Sequence, residues 1–197
     1  MFGTRLTTAA LTAALLVAAP AGLHAQVPEA PVSVTGKVIS TGEALVRLAT
    51  DKGPVSVPMT SGWTVSVARP ASAREIKPGD FIATTNQDLG PDTGRSLELR
   101  IFEPGYEPEH GTHPMPKPGL SMTHGRVRSL ASTADGEQLD VAFPGGSRRI
   151  VAPLDVKVTA YDVKDRSAAA PGVTVQAITR KGPDGVARAG RLLLVSP

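Results

Sequence analysis

Along most of the chain apolar and polar residues alternate one by one. Val55, Val57 and Met59 alternate with Ser56, Pro58 and Thr60. Trp63, Val65 and Val67 alternate with Thr64, Ser66 and Ala68, and Leu97, Leu99 and Ile101 with Glu98 and Arg100. Leu139, Val141 and Phe143 around Asp140 and Ala142, and later Val156, Val158 and Ala160, keep the same period. A period of two belongs to strands whose successive side chains point to opposite faces, so each strand buries one face and wets the other. STGEA, DKGP, TSG, ADGE and PGGS separate these runs and supply the Gly, Asp and Ser that tight turns need. Pro78-Gly79 and Pro171-Gly172 suit type II turns, in which Gly takes the positive φ. Apolar residues at helical spacing never extend beyond a turn or two, and residues 71–76 are the one short helical piece that the pattern predicts.

The pattern is also doubled. VTGKVIS at 34–40 returns as THGRVRS at 123–129, and the tract from Trp63 to Thr85 lines up with that from Val156 to Ile178 at an offset of 93. The same offset matches RSLELRIFEP from Arg95 with RAGRLLLVSP from Arg188, and GPDTG from Gly90 pairs with GPDG from Gly182. Two copies are too few for a solenoid, so the repeat predicts two tandem domains of one kind. Each copy holds five or six strands in about 70 residues. A flat sheet of that size leaves bare edges, and closing it into a barrel removes them. The expected fold is therefore all-β, with two tandem small OB-like β-barrels spanning residues 26–104 and 122–197, joined by a Pro/His-rich linker at 105–121. A membrane-spanning barrel is not expected, because its strands run to about 9–11 residues with an apolar outer band.

Residues 1–25 read as a secretory signal peptide: Arg5, an apolar run over 9–19, the breakers Pro20 and Gly22, and Ala25 before the expected cleavage. The apolar run is too short for a membrane anchor, so no transmembrane segment is expected after cleavage. The chain has no cysteine, so neither disulfides nor a lipidated cysteine contribute in the periplasm or exterior where the mature protein is expected. Without Arg5 the formal net charge of +3 falls to +2, too balanced to imply nucleic acid or an anionic membrane as partner.

The V-x-G-x-V at 34–38, the S-x-x-x-I-K-P-G-D from Ser72 and the L-x-L-R-I-F-x-P from Leu97 resemble an uncharacterised family of bacterial exported domains. In that family an OB-like barrel often occurs twice, and the joining segment carries a Gly-x-His-x-Pro pattern leading into Ser-Met-Thr. The matching residues here are Gly111, His113, Pro114 or Pro116, and Ser121-Met122-Thr123. The resemblance implies a fold and is silent on activity. The second copy departs from it with Ala170-Pro171-Gly172-Val173 in place of Lys-Pro-Gly-Asp, and the linker adds His110.

The linker holds the densest chemistry. His110, His113 and His124 with Met115 and Met122 form a candidate metal set, because imidazole with thioether suits copper and imidazole with Glu107 or Glu109 suits zinc. Pro108, Pro114, Pro116 and Pro118 forbid a helix; in polyproline II geometry His110 and His113 share one side about 9 Å apart. The competing reading is a stiff, solvated spacer. Ser121 and His124 lack a nucleophile elbow, Asp162 and Asp165 read as a charged turn, and no phosphate-cradling or dinucleotide motif is present. Trp63 and Phe143 fall on apolar faces and are expected in the cores, whereas Phe81, Phe102 and Tyr161 are unmatched between copies. The expectation is a non-enzymatic envelope protein that binds an unknown ligand or partner, without a cofactor. The alternatives are copper or zinc capture through the linker and oligosaccharide or protein binding on a barrel surface.

Overall fold

The computed structural model describes residues 30–195, so the signal-peptide reading of 1–25 lies outside the described residues. In chain order the strands are β1 (Val32–Thr41), β2 (Leu45–Thr50), β3 (Gly53–Ala71), β4 (Phe81–Gly90), β5 (Thr93–Ile101) and β6 (Gly111–Pro114). They continue with β7 (Leu120–Thr133), β8 (Gly136–Phe143), β9 (Gly146–Ala152), β10 (Lys157–Lys164), β11 (Thr174–Lys181) and β12 (Ala187–Leu194). Single 3-10 turns at Ala73–Glu75 and Arg166–Ala168 precede β4 and β11. The first of these is the short helical piece expected at 71–76; Glu75 turns back to accept the backbone N–H of Ser72 at 2.9 Å. The all-β expectation holds.

The strand pairing closes two rings. β1, β2, β3, β12 and β11 pair in succession, and the β11–β1 ladder closes the first. β4, β5, β9, β8 and β7 pair likewise, and the β7–β4 ladder closes the second. Each ring has its own core. Val38, Val46, Leu48, Val57, Trp63, Val65, Val175 and Leu192 fill the first, and Ile76, Ile82, Leu99, Val127, Leu139, Val141 and Ile150 the second. Side chains of this kind contribute roughly 1.5–3 kcal/mol each when fully buried, which lets both rings stand without disulfides.

This arrangement corrects the expected one-barrel-per-repeat division into 26–104 and 122–197. The β4–β5 hairpin of the first copy completes the second ring, and the β11–β12 hairpin of the second copy completes the first. The crossing is made by the end of β3 and by β10, which pair antiparallel from Val65–Lys164 to Ala71–Val158. At its centre Ala68 faces Tyr161, the residue at the same place in the other repeat. Registers on the two sides agree: Lys37 faces Ala49 as Arg126 faces Ala142, and Arg191 faces Thr64 as Glu98 faces Lys157.

The long crossing also explains why the TSG at 60–62 is not a turn between strands. β3 runs through it for 19 residues, and Gly62 with φ 71° absorbs a bulge where the β12 register shifts. In β5 a similar shift leaves Leu97 as the extra residue, so it is exposed although its neighbour Leu99 is fully buried. Phe143 ends β8 only half-buried, whereas Trp63 is in the first core with its indole N–H on the Glu43 carbonyl at 3.0 Å. The expected linker at 105–121 is no free tether. β6 pairs with β7 from Gly111–His124 to Pro114–Ser121, and the Met115 N–H donates to the Leu120 carbonyl at 2.9 Å.

The V-x-G-x-V motif now has a cause. A Cβ on Gly36 would lie 2.6 Å from the Ala49 carbonyl oxygen, and one on Gly125 would lie 2.5 Å from that of Ala142. Gly36→Ala and Gly125→Ala are each expected to cost about 2 kcal/mol, read as a lowered denaturation midpoint. Gly90→Ala, which meets nothing within 4 Å, should leave the midpoint in place. Residues 26–104 produced alone lack β11 and β12, so the exchange seen in the full chain can be kept only with the β4–β5 hairpin of a second copy. Light scattering is expected to show a dimer, and a stable monomer would show that the hairpin folds back onto its own strands.

Candidate functional site

The segment leaving β5, Phe102 to His110, turns back between the outer faces of the two rings. Gly105 takes φ 84° and the Tyr106 N–H closes the turn on the Glu103 carbonyl at 3.2 Å. Glu103 is buried. Its Oε1 accepts the Ser66 hydroxyl at 2.7 Å and its Oε2 accepts Nη1 of Arg191 at 3.0 Å. Removing one partner of such a buried pair strands the other charge, at a cost of roughly 3–5 kcal/mol, so the pair locks the segment to the first ring.

Aromatic rings surround the Arg191 guanidinium. Its carbon is 4.2 Å from the centroid of Tyr106, 4.4 Å from Tyr161 and 5.5 Å from Phe102. Phe102 stacks on Tyr161 with centroids 5.4 Å apart and planes at 9°. Phe81 joins the cluster against Phe102 at 6.1 Å. Each contact gains from the ring quadrupole meeting a cation or an offset ring. The unmatched aromatics are thus gathered in one place.

Beside this cluster opens a cavity of about 300 Å³ whose walls include Arg100, Arg180, Arg191, Tyr106, Tyr161 and His124. A neighbouring hollow of about 290 Å³ shares Tyr106, Pro108, Ile178 and Arg180 with it. A larger groove of about 490 Å³ lies outside β7–β9, but no buried polar group lines it, and its Arg128 is paired with Asp140. The inter-ring cleft differs in drawing on both rings and on a buried imidazole.

His124 lies on the outer face of β7 and is 9% exposed. Its Nδ1 has no hydrogen-bond partner, the nearest carboxylate being Glu109 Oε2 at 3.9 Å. Burial pushes its pKa down to about 4; Glu109 opposes this, while His113, Arg180 and Arg100 add to it. The imidazole is therefore neutral at pH 7.

The sequence-predicted metal set is partly assembled. The β6–β7 register sets His113 opposite Met122 and Gly111 opposite His124, so His113, Met122 and His124 share one face. Glu109 is the common neighbour, 3.4 Å from His113 Nε2 and 3.9 Å from His124 Nδ1. His110 points elsewhere: its Nε2 is 3.3 Å from Glu107, which also pairs with Arg126, and its ring sits edge-on to Phe81 at 5.1 Å. Met115 is in the β6–β7 turn. Among the described residues no three His or carboxylate side chains stand close enough to share an ion. Ser121 gives its hydroxyl to Asp88 at 2.8 Å on the face of β7 opposite His124, so the two do not meet. Sequence reasoning missed Arg180, Arg191, Glu103 and Ser66. The signal available was that Arg191, Arg180 and Tyr161 break the repeat, where the other copy has Glu98, Gln87 and Ala68.

No protein-family model matches the chain, and no curated protein or solved structure shows significant similarity to it. Among the described residues no helix is long and apolar enough to cross a membrane.

A histidine held neutral in the folded state makes the unfolded chain the stronger proton binder below its ordinary pKa. Stability is expected to fall by about 3 kcal/mol as the pH drops from 6.5 to 4, and to level off below that for this group. His124→Gln should flatten that part of the profile in urea melts taken across the range, with the remaining slope coming from carboxylates.

Proposed function

We propose that the chain is a non-enzymatic, exported binding protein of the bacterial envelope, built from two OB-like rings of the family it resembles, and that its ligand sits in the cleft between them. The observation that carries this reading is the asymmetry of an otherwise repeated molecule. The residues that break the repeat (Tyr161, Arg180, Arg191) meet Tyr106 of the joining segment around one cavity beside a buried imidazole. Small-molecule sites are typically concave and carry a few convergent polar groups; this cleft is concave, with three guanidinium groups and an imidazole in a lining that is more polar than apolar. Closed five-stranded rings with a 3-10 turn before the fourth strand support the OB-like reading.

A second reading, capture of copper or zinc, is supported by Glu109 standing between His113 and His124, with Met122 on the same face. A small rotation of the two exposed side chains, His113 and Glu109, would bring imidazole and carboxylate onto one ion.

Native mass spectrometry of the protein recovered from its own envelope distinguishes the readings. A retained organic compound that is lost from Tyr106→Ala is expected. Copper or zinc retained instead, and lost from His113→Ala with His124→Ala, would favour the second reading, and a bare chain throughout would count against both.

A further inference from the structure

The charge of the cleft narrows the ligand class. Of its three guanidinium groups, Arg100 pairs with Glu98 at 2.6 Å and Arg191 with Glu103 at 3.0 Å, whereas Arg180 has no ion-pair partner among the described residues. Arg180 also faces Arg188 directly across the β11–β12 ladder. Like charges opposed in this way destabilise a sheet, and Arg188 relieves its side by pairing with Asp184 at 2.8 Å. The equivalent face of the other ring carries Ala83, Thr85 and Gln87 where this one has Gln176, Ile178 and Arg180, so the repeat does not call for a cation here. Glu109, 3.9 Å from His124, is turned to His113 at 3.4 Å.

We infer that the cleft binds a small organic monoanion, its carboxylate or equivalent oxyanion held by Arg180 beside Arg191, with its apolar body against Tyr106, Pro108, Ile178 and Leu193. This inference rests on the binding reading above and adds the chemistry of the ligand. Arg191 gives one N–H to Glu103 and lines the cavity, and a guanidinium has further donors to offer. A guanidinium flanked by aromatic rings is pre-organised, so little freedom is lost when it takes up an oxyanion. The buried imidazole of His124 forms part of the wall beside the seat. The volume of about 300 Å³ admits a single-ring compound.

Three probes of one shape and different charge test this: benzoate, benzamidinium and benzyl alcohol, titrated separately into the full chain. The readout is the ¹H–¹⁵N shifts of Tyr106, Gln176, Ile178 and Arg180. Benzoate is expected to move these signals saturably, the other two not. Arg180→Gln should weaken benzoate roughly tenfold, and Arg180→Lys should restore part of the loss. Arg180 is chosen because it sits in no buried pair; melting temperatures no lower than the parent's confirm that both variants remain folded. If benzamidinium or benzyl alcohol matches benzoate, or if Arg180→Gln binds benzoate as the parent does, the anion assignment is overturned and the cleft survives as a site. If none of the probes moves these signals, the cleft itself is rejected as a small-molecule seat, and the anion assignment falls with it.

Discussion

The antiparallel pairing of the end of β3 with β10 is the constraint on which the molecule depends. Seven residue pairs hold the two crossing segments together, and at their centre the chain meets its own repeat at Ala68 and Tyr161. An antiparallel pair of equivalent segments is related by a two-fold axis, so each copy must send its following hairpin to the far side. Both rings are closed by that exchange. The turn after each 3-10 segment shows the same consequence: Val127 donates to the Asp80 carbonyl in one ring as Val38 donates to Val173 in the other, each contact joining different copies. Neither ring closes without strands from both halves, which ties their stabilities together.

Differences between the copies carry the chemistry. Inside the second ring a polar chain runs from Ser96 through Thr84, whose hydroxyls are 2.8 Å apart, and Asn86 bonds to Thr123 at 3.1 Å. The first ring has Ala189 and Ala177 at the places of Ser96 and Thr84. Such networks are costly unless satisfied, and Asn86 Oδ1 and Arg148 Nε remain without partners beside Gly94. Outside the rings, at the crossing, aromatic and arginine side chains that exist in one copy alone fill the space between two curved sheets. The duplication supplies a stable frame, and its broken symmetry supplies a concave, charged surface that neither ring has by itself.

The position of His124 illustrates how burial, more than residue type, sets behaviour here. Three histidines lie within fifteen residues, between 110 and 124. Two remain exposed and next to carboxylates, while the third is enclosed by the turn after β5 and by β11, strands of opposite copies. Its neighbours Arg180 and Arg100 come from β11 and β5, so its electrostatic surroundings exist only in the folded, exchanged arrangement.

Local pattern was enough to read the strands, most turns, the 3-10 piece at residues 73–75, and the internal repeat with its offset of 93, because each depends on neighbours within a few residues. The core positions Val57, Leu99, Leu139 and Val158 followed from the period of two. Alternation says which face of a strand is buried, but not which strand lies beside it. Whether β4 returns to β1 or passes on to β7 rests on long-range ladders that look alike in both copies, and residues 30–104 read the same either way. The metal set drew attention because His and Met are rare and close in sequence, whereas Ser66, Glu103, Arg180 and Arg191 are scattered over more than a hundred positions. Composition and periodicity determined that this chain is a doubled set of half-buried strands. The tertiary structure decided that the copies share their barrels and where the cleft opens, since both depend on which of two equivalent partners each hairpin pairs with.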